Sequence, residues 1–248
     1  MKRIAATWSA PAHVHAFTST RDGGVSLPPY DALNLGDHVG DEPQAVATNR
    51  ERLLSSVGLT APAQWLSQVH GVDVIKAGTE EAIPTADACW TDQLGQACVV
   101  MTADCLPVCF SDGKKVAVAH AGWRGLVSGV LEQTLAVFDD PSQVHVWLGP
   151  AIGPEVFEVG SEVKAAFEEA APATSKPAVS DAFKPQPAEG KWLADIYQLA
   201  RIRLSDAGVH WISGGDYCTY SDPQFFSYRR QSTTGRIATV VWLSQSEQ

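Results

Sequence analysis

Apolar and polar positions along this chain recur with periods that separate strands from helices. Residues 14–18 form a short strand pattern, and 19–41, rich in Gly, Pro, Asp and Asn, predict a long ordered loop. Asp41 then reads as a helix N-cap. Pro43 falls in the first turn, Val46, Leu53 and Val57 share one face, and Gly58 is the stop. Residues 64–76 read as two strands broken at Gly71. The apolar runs 97–102 and 107–111 are predicted strands on either side of Ala103-Asp104-Cys105. Asp112-Gly113 signals a hairpin into a strand at 115–119. Residues 126–138 predict a helix with Val127, Val130, Leu131 and Phe138 along one stripe. A buried strand follows at 144–148, helices at 161–170 and 193–207 with Gly208 as the second stop, and strands at 209–213 and 236–243. The stretch 170–190, broken by Pro185, Pro187 and Gly190, reads as a loop or excursion. Such a mixture predicts an α/β (α+β) fold with a mostly β centre.

Size and charge narrow the picture. The 248 residues predict one domain, 1–248, large enough to bury a full core without a disulfide or metal staple. A net charge of −10 without a basic run argues against nucleic acid and against an anionic membrane surface as partners. No window approaches 18 consecutive apolar residues, the length a span needs, so no membrane partner is expected either. Five cysteines, an odd count, without a secretory apolar stretch near Met1 suggest reduced thiols and a cytoplasmic protein.

Three residues stand where an extended segment gives way to a turn. His70 lies in Ser-Gln-Val-His-Gly, Cys105 in Thr-Ala-Asp-Cys-Leu-Pro, and His120 enters Ala-Gly-Trp-Arg-Gly. Side chains there can converge on one cleft. Two imidazoles and a thiolate suit zinc with one open position, the catalytic arrangement. With an axial methionine they would suit copper, although Met101 sits four residues before Cys105 in a strand. Without metal, Cys and His form a nucleophile and its base. Asp87, Asp92 and Asp104 are candidates to orient an imidazole. Cys98 and Cys109, inside apolar runs, read as core. Arg21 beside Gly23-Gly24, Arg124 at a helix start, and Arg229 and Arg230 after Phe225-Phe226-Ser227-Tyr228 are candidates for an anion. Tyr30, Trp90, Trp123, Phe226 and Tyr228 sit in loop-like places suited to a planar ring, whereas Trp147 and Trp242 lie in strands.

Several blocks carry a family likeness. Thr18-Ser19-Thr20-Arg21-Asp22-Gly23-Gly24-Val25-Ser26 with Leu33-Asn34-Leu35-Gly36 resembles the start of the bacterial multicopper-polyphenol-oxidase/laccase-domain family. Trp65–Gly71, Met101–Pro107, Ala119–Gly125, Leu148–Pro154, Gly215–Thr219 and Phe226–Arg230 follow in the same order. Members of that family are also described as purine nucleoside phosphorylases or peptidoglycan editing factors. The resemblance implies a single α/β domain with central mixed β-sheets flanked by helices, and a metal triad at His70, Cys105 and His120. It implies phosphorolysis of adenosine, inosine, guanosine and methylthioadenosine, with adenosine deamination, and copper-dependent oxidation of phenols as another described activity. Arg21, Asn34, Gln68, Arg124 and Arg229 are then the substrate-binding candidates, for purine nucleoside and phosphate. Zinc is the expected ion and copper the alternative. A trinuclear copper cluster needs many imidazoles near Cys105, and the seven histidines are scattered. The leading expectation is therefore a metal-dependent purine nucleoside phosphorylase, monomeric or homodimeric. A Cys–His hydrolase acting on cell-wall precursors and a non-catalytic module with structural zinc are the competing readings.

Overall fold

The two apolar runs flanking Cys105 do form strands, and these lie in different sheets. In the computed structural model, residues 1–78 and 83–245 are described, so residues 79–82 and 246–248 of the expected domain lie outside the described residues. In chain order the strands are β1 (Arg3–Ala5), β2 (Val14–Ser19), β3 (Val74–Lys76), β4 (Ala88–Thr91), β5 (Cys98–Thr102), β6 (Leu106–Ser111) and β7 (Val116–Ala121). They continue as β8 (His145–Leu148), β9 (Glu158–Gly160), β10 (Phe183–Pro185), β11 (Lys191–Ala194), β12 (Trp211–Gly214) and β13 (Ile237–Leu243). The α-helices are α1 (Pro43–Ser55), α2 (Trp123–Ser128), α3 (Val130–Leu135), α4 (Ser161–Ala170), α5 (Lys176–Asp181) and α6 (Ile196–Asp206).

A six-stranded mixed sheet has the order β12-β8-β6-β7-β4-β3, and a four-stranded antiparallel sheet the order β1-β2-β13-β5. Their strands read as near-continuous apolar runs because both faces are covered. In β5, Cys98 and Val100 point between the sheets, and Val99 points the other way toward Leu53 of α1. In β7, Val116 and Val118 join that inter-sheet layer, and Ala117, Ala119 and Ala121 face Leu126, Leu131 and Leu199 of the helices. The period of two thus sorts side chains into three apolar layers. The expected mixed α/β domain is what forms, with helices outside both sheets.

Several boundaries differ from the sequence expectation. Glu42 is the N-cap of α1, because the Asp41 carboxylate accepts from Ser26 Oγ and Asn34 Nδ2 and is drawn into the 19–41 loop. The helix expected over 126–138 is two, α2 and α3, broken at Gly129, whose φ of 102° no right-handed helix contains. The helix expected from 193 starts at Ile196, capped by Asp195, since 191–194 pair as β11. The stretch 170–190 carries α5 and β10, and β10, β11 and β9 form a third small sheet. Strands of three or four residues are too short to show a period. Of the two strands expected in 64–76 only β3 forms, while Gln64 and Ser67 each make a single bridge. Among the described residues no helix is long and apolar enough to cross a membrane.

Candidate metal centre

Cys105 occupies the crossover from β5 in one sheet to β6 in the other. The residue before it, Asp104, has φ 94°, a left-handed conformation that costs a non-glycine residue roughly 1–2 kcal/mol. Its carboxylate holds the turn in place, accepting from Thr219 Oγ1 at 2.7 Å and from the Arg229 backbone N–H at 2.6 Å. His70 lies in the loop before β3 and is left-handed too, with φ 62°. Here the clamp is Asp87, which is fully buried. Asp87 Oδ1 accepts from the His70 N–H at 3.0 Å, and Oδ2 from Gly71 at 2.6 Å and Val69 at 3.2 Å. The same Oδ1 accepts from His120 Nδ1 at 2.8 Å, and the Asp87 carbonyl accepts from the His120 N–H at 2.7 Å. One carboxylate therefore sets the loop of the first histidine and the ring of the second.

The three donor atoms lie within 4.8 Å of one another. Cys105 Sγ is 3.8 Å from His70 Nε2, and the two imidazoles meet edge to face with centroids 4.7 Å apart. Burial opposes ionisation of the Cys105 thiol, but the positive charge and hydrogen bonding of His120, then of His70, outweigh it and bring its pKa down to about 6. Burial likewise opposes charge on His120, and the Cys105 thiolate and Asp87 reverse that, raising it to about 9. For Asp87, burial acts upward, and the His120 contact and the loop N–H groups hold the carboxyl below its ordinary value.

This donor set fits a metal ion. With Nδ1 of His120 committed to Asp87, Nε2 is left for the thiolate side. Tetrahedral zinc bound at ordinary lengths places its donors about 3.3–3.7 Å apart, close to the observed sulfur–nitrogen spacing. Gly122 leaves the room: a Cβ there would stand 2.7 Å from His70 Cδ2 and 3.1 Å from Cys105 Sγ. The triad opens on a cavity of about 360 Å³. Met101, Ile152 and Phe157 supply apolar wall, and Gln68, Tyr228, Arg229 and Arg236 supply polar and cationic wall.

The family model described as multi-copper polyphenol oxidoreductase laccase matches residues 15–244. The chain belongs to this family. Among its relatives, the Escherichia coli (strain K12) protein named purine nucleoside phosphorylase YfiH is 52% identical over 247 residues, covering 98% of this chain and 99% of that protein. The Pseudomonas aeruginosa protein named purine nucleoside phosphorylase PA4543 is 52% identical over 240 residues, covering 95% and 96%. The crystal structure of Neisseria meningitidis protein NMB0706 superposes with a TM-score of 0.92 at 46% identity, covering 99% of this chain and all of that one.

Within this member of the laccase family, the substrate-binding candidates scatter. Gln68 and Arg229 line the cavity. Gln68 is held by both backbone groups of Met101, and Arg229 donates to the carbonyls of Val156 and Glu158. Arg21 does not line the cavity; it pairs with Asp31 and lies over the Phe226 ring. Arg124 is exposed and stacks on Trp123. Asn34 is fully buried, donating to Gly36 and Asp41 and accepting from Arg236 N–H. Of the three carboxylates considered for an imidazole, Asp87 takes the role, Asp104 holds its own turn, and Asp92 pairs with Lys76 at the surface. Met101 lines the cavity, and its sulfur accepts from Arg50 at 3.6 Å. Of the loop aromatics, Tyr228 lines the cavity, Phe226 is fully buried, and Trp90 belongs to β4. Trp147 is core, while Trp242 is half-buried and stacks on His15. His38 and Arg236, which also line the cavity, were not singled out by sequence. Neither sits in a distinctive run, and the only signal at Arg236 is a lone charge at the head of an apolar strand.

Proposed function

We propose that this protein is a zinc-dependent purine nucleoside phosphorylase acting on adenosine, inosine, guanosine and methylthioadenosine, with adenosine deamination as a second activity. The observation that carries the reading is the opening of the His70/Cys105/His120 triad onto one cavity that has both an apolar wall and cationic side chains. The names borne by relatives at 52% identity support it. In phosphorolysis the bond between ribose C1′ and the purine nitrogen breaks, a phosphate oxygen bonds to C1′, and the purine accepts a proton. A bound zinc ion would supply Lewis acidity toward the departing base. The residues of the chain do the rest. Met101 and Phe157 offer apolar contact to a flat base, and Tyr228, 57% exposed at the cavity, offers it a stacking face. His120, its ring locked by Asp87, presents one nitrogen in a fixed direction.

Incubation of metal-loaded protein with adenosine and phosphate is expected to yield adenine and ribose 1-phosphate, with some inosine. Cys105→Ala should lose both products. Full retention by that variant would refute the site. The hydrolase reading has its own support: the Cys105 thiolate, His120 and Asp87 also stand in the order nucleophile, base, orienting acid. A chelator separates the two, since only the hydrolase would keep its activity. The copper oxidase reading has less behind it. Among the described residues, His70, Cys105 and His120 are the one group of His, Cys, Asp and Glu side chains suitably clustered for metal, which leaves no ligands for a trinuclear centre.

A further inference from the structure

The arginines of this chain separate by what their guanidinium groups hold. Arg21 pairs with Asp31, Arg50 with Asp37 and Arg203 with Glu132. Arg229 spends its head on two carbonyls, and Arg230 on those of Thr219, Tyr220 and Phe225. Arg236 differs from all of these. It lines the cavity beside Cys105 and Asp104, it is half-buried, and no carboxylate pairs with it among the described residues. Its Nη1 donates to the Thr234 and Gly235 carbonyls of its own turn, both at 3.1 Å. Nε and Nη2 have no protein partner among the described residues.

The stem of this side chain is fixed. The Arg236 N–H donates to the buried Asn34 Oδ1 at 2.8 Å, and its carbonyl accepts from Leu35 N–H at 3.1 Å. Gly36 packs flat against it, for a Cβ there would approach Arg236 Cγ to 2.7 Å. Asn34 and Gly36 thus serve the cavity through Arg236. A half-buried cation without a directly paired carboxylate is costly, and a pre-positioned guanidinium with two free donor nitrogens matches a tetrahedral oxyanion. Burial holds the Arg236 guanidinium below its ordinary pKa, and negative charge on Cys105 and Asp104 works against that lowering without reversing it.

We propose that Arg236 is the anchor of an anion subsite in this cavity, one that receives the phosphate co-substrate. The assignment of phosphate rests on the phosphorylase reading. The subsite itself rests on the unpaired guanidinium.

The test uses full-length, metal-loaded protein and the variants Arg236→Gln and Arg236→Lys. Inorganic phosphate is titrated calorimetrically, metal content is measured on the same samples, and KM is determined separately for phosphate and adenosine. Loss of charge-assisted hydrogen bonds is expected to weaken phosphate binding and raise its KM by roughly tenfold or more in Arg236→Gln, with adenosine KM within about twofold. Arg236→Lys should recover part of the loss, because a point charge replaces the fork. If the Gln variant does not fold, as judged by its melting curve, Arg236→Lys decides alone, and binding equal to the parent overturns the subsite. Unaltered phosphate affinity in either folded variant does the same. So does loss of metal with phosphate affinity intact, which would make Arg236 a counter-charge to Cys105 and Asp104. If the parent binds phosphate through Arg236 and turns over no nucleoside, the phosphorylase reading fails and the subsite stands.

Discussion

Replacing Asp87 by Asn strikes both histidines of the triad at once. The side chain keeps its shape and loses its charge, and one of its two acceptors becomes a donor. In the native site Oδ1 accepts from His70 N–H and His120 Nδ1, and Oδ2 accepts from the Gly71 and Val69 N–H groups. If the amide nitrogen turns toward the loop, it meets two N–H donors. If it turns toward the imidazole, it meets the His70 N–H as a second donor, and His120 must move its proton to Nε2, the nitrogen that faces Cys105. Either orientation forfeits at least two hydrogen bonds to a charged group, each contributing about 1.5–3 kcal/mol. The cost should therefore reach about 3–5 kcal/mol, as for breaking a buried ion pair. For a chain of this length that corresponds to a melting temperature lower by roughly 6–20 °C. Metal affinity should fall about 10–100-fold, since the ring loses the partner that orients it. Competitive titration against a chromophoric chelator, with melting curves recorded with and without metal, measures both. An Asp87→Asn protein that melts and binds zinc like the parent would show that the carboxylate is a bystander.

Three further outcomes follow from the same geometry. In metal-stripped protein, Cys105 should react with iodoacetamide half-maximally near pH 6, well below the roughly 8.5 of a free thiol. The sign is that of a stabilised thiolate: reactivity is complete above that midpoint and is lost as pH falls through it. His120→Ala should move the midpoint upward, and mass spectrometry of the Cys105 peptide follows the reaction. Gly122→Ala should lower metal stoichiometry without disturbing the metal-free fold. The backbone there has φ −61°, open to any residue, so the only penalty is the new Cβ against His70 and Cys105; elemental analysis and melting of the stripped protein check it. Tyr197→Phe should destabilise the protein by about 1–3 kcal/mol in denaturant unfolding. The buried hydroxyl that accepts from Ala151 N–H at 2.7 Å and donates to the Tyr217 carbonyl at 2.9 Å is removed, stranding both.

What the sequence determined by itself is whatever depends on local pattern. The apolar runs of β5, β6, β7, β8 and β13 were legible because strands covered on both faces carry little but apolar residues. The triad was legible because His70, Cys105 and His120 each stand where an extended pattern gives way to a turn, within two residues of glycine or proline and within blocks that resemble one family. Tertiary structure decided everything that depends on which charges find partners. Nothing local distinguishes Asp87 from Asp92, yet one is buried among four donors and the other meets Lys76 in solvent. Nothing local distinguishes Arg21 from Arg236 either. The first sits in the more suggestive loop and is neutralised by Asp31, whereas the second is left unpaired at the cavity by the packing of Asn34 and Gly36. Strand and turn preferences act over a few residues and can be read in order. Ion pairing in a folded chain is a contest among groups distant in sequence, and only the assembled fold settles who is left over.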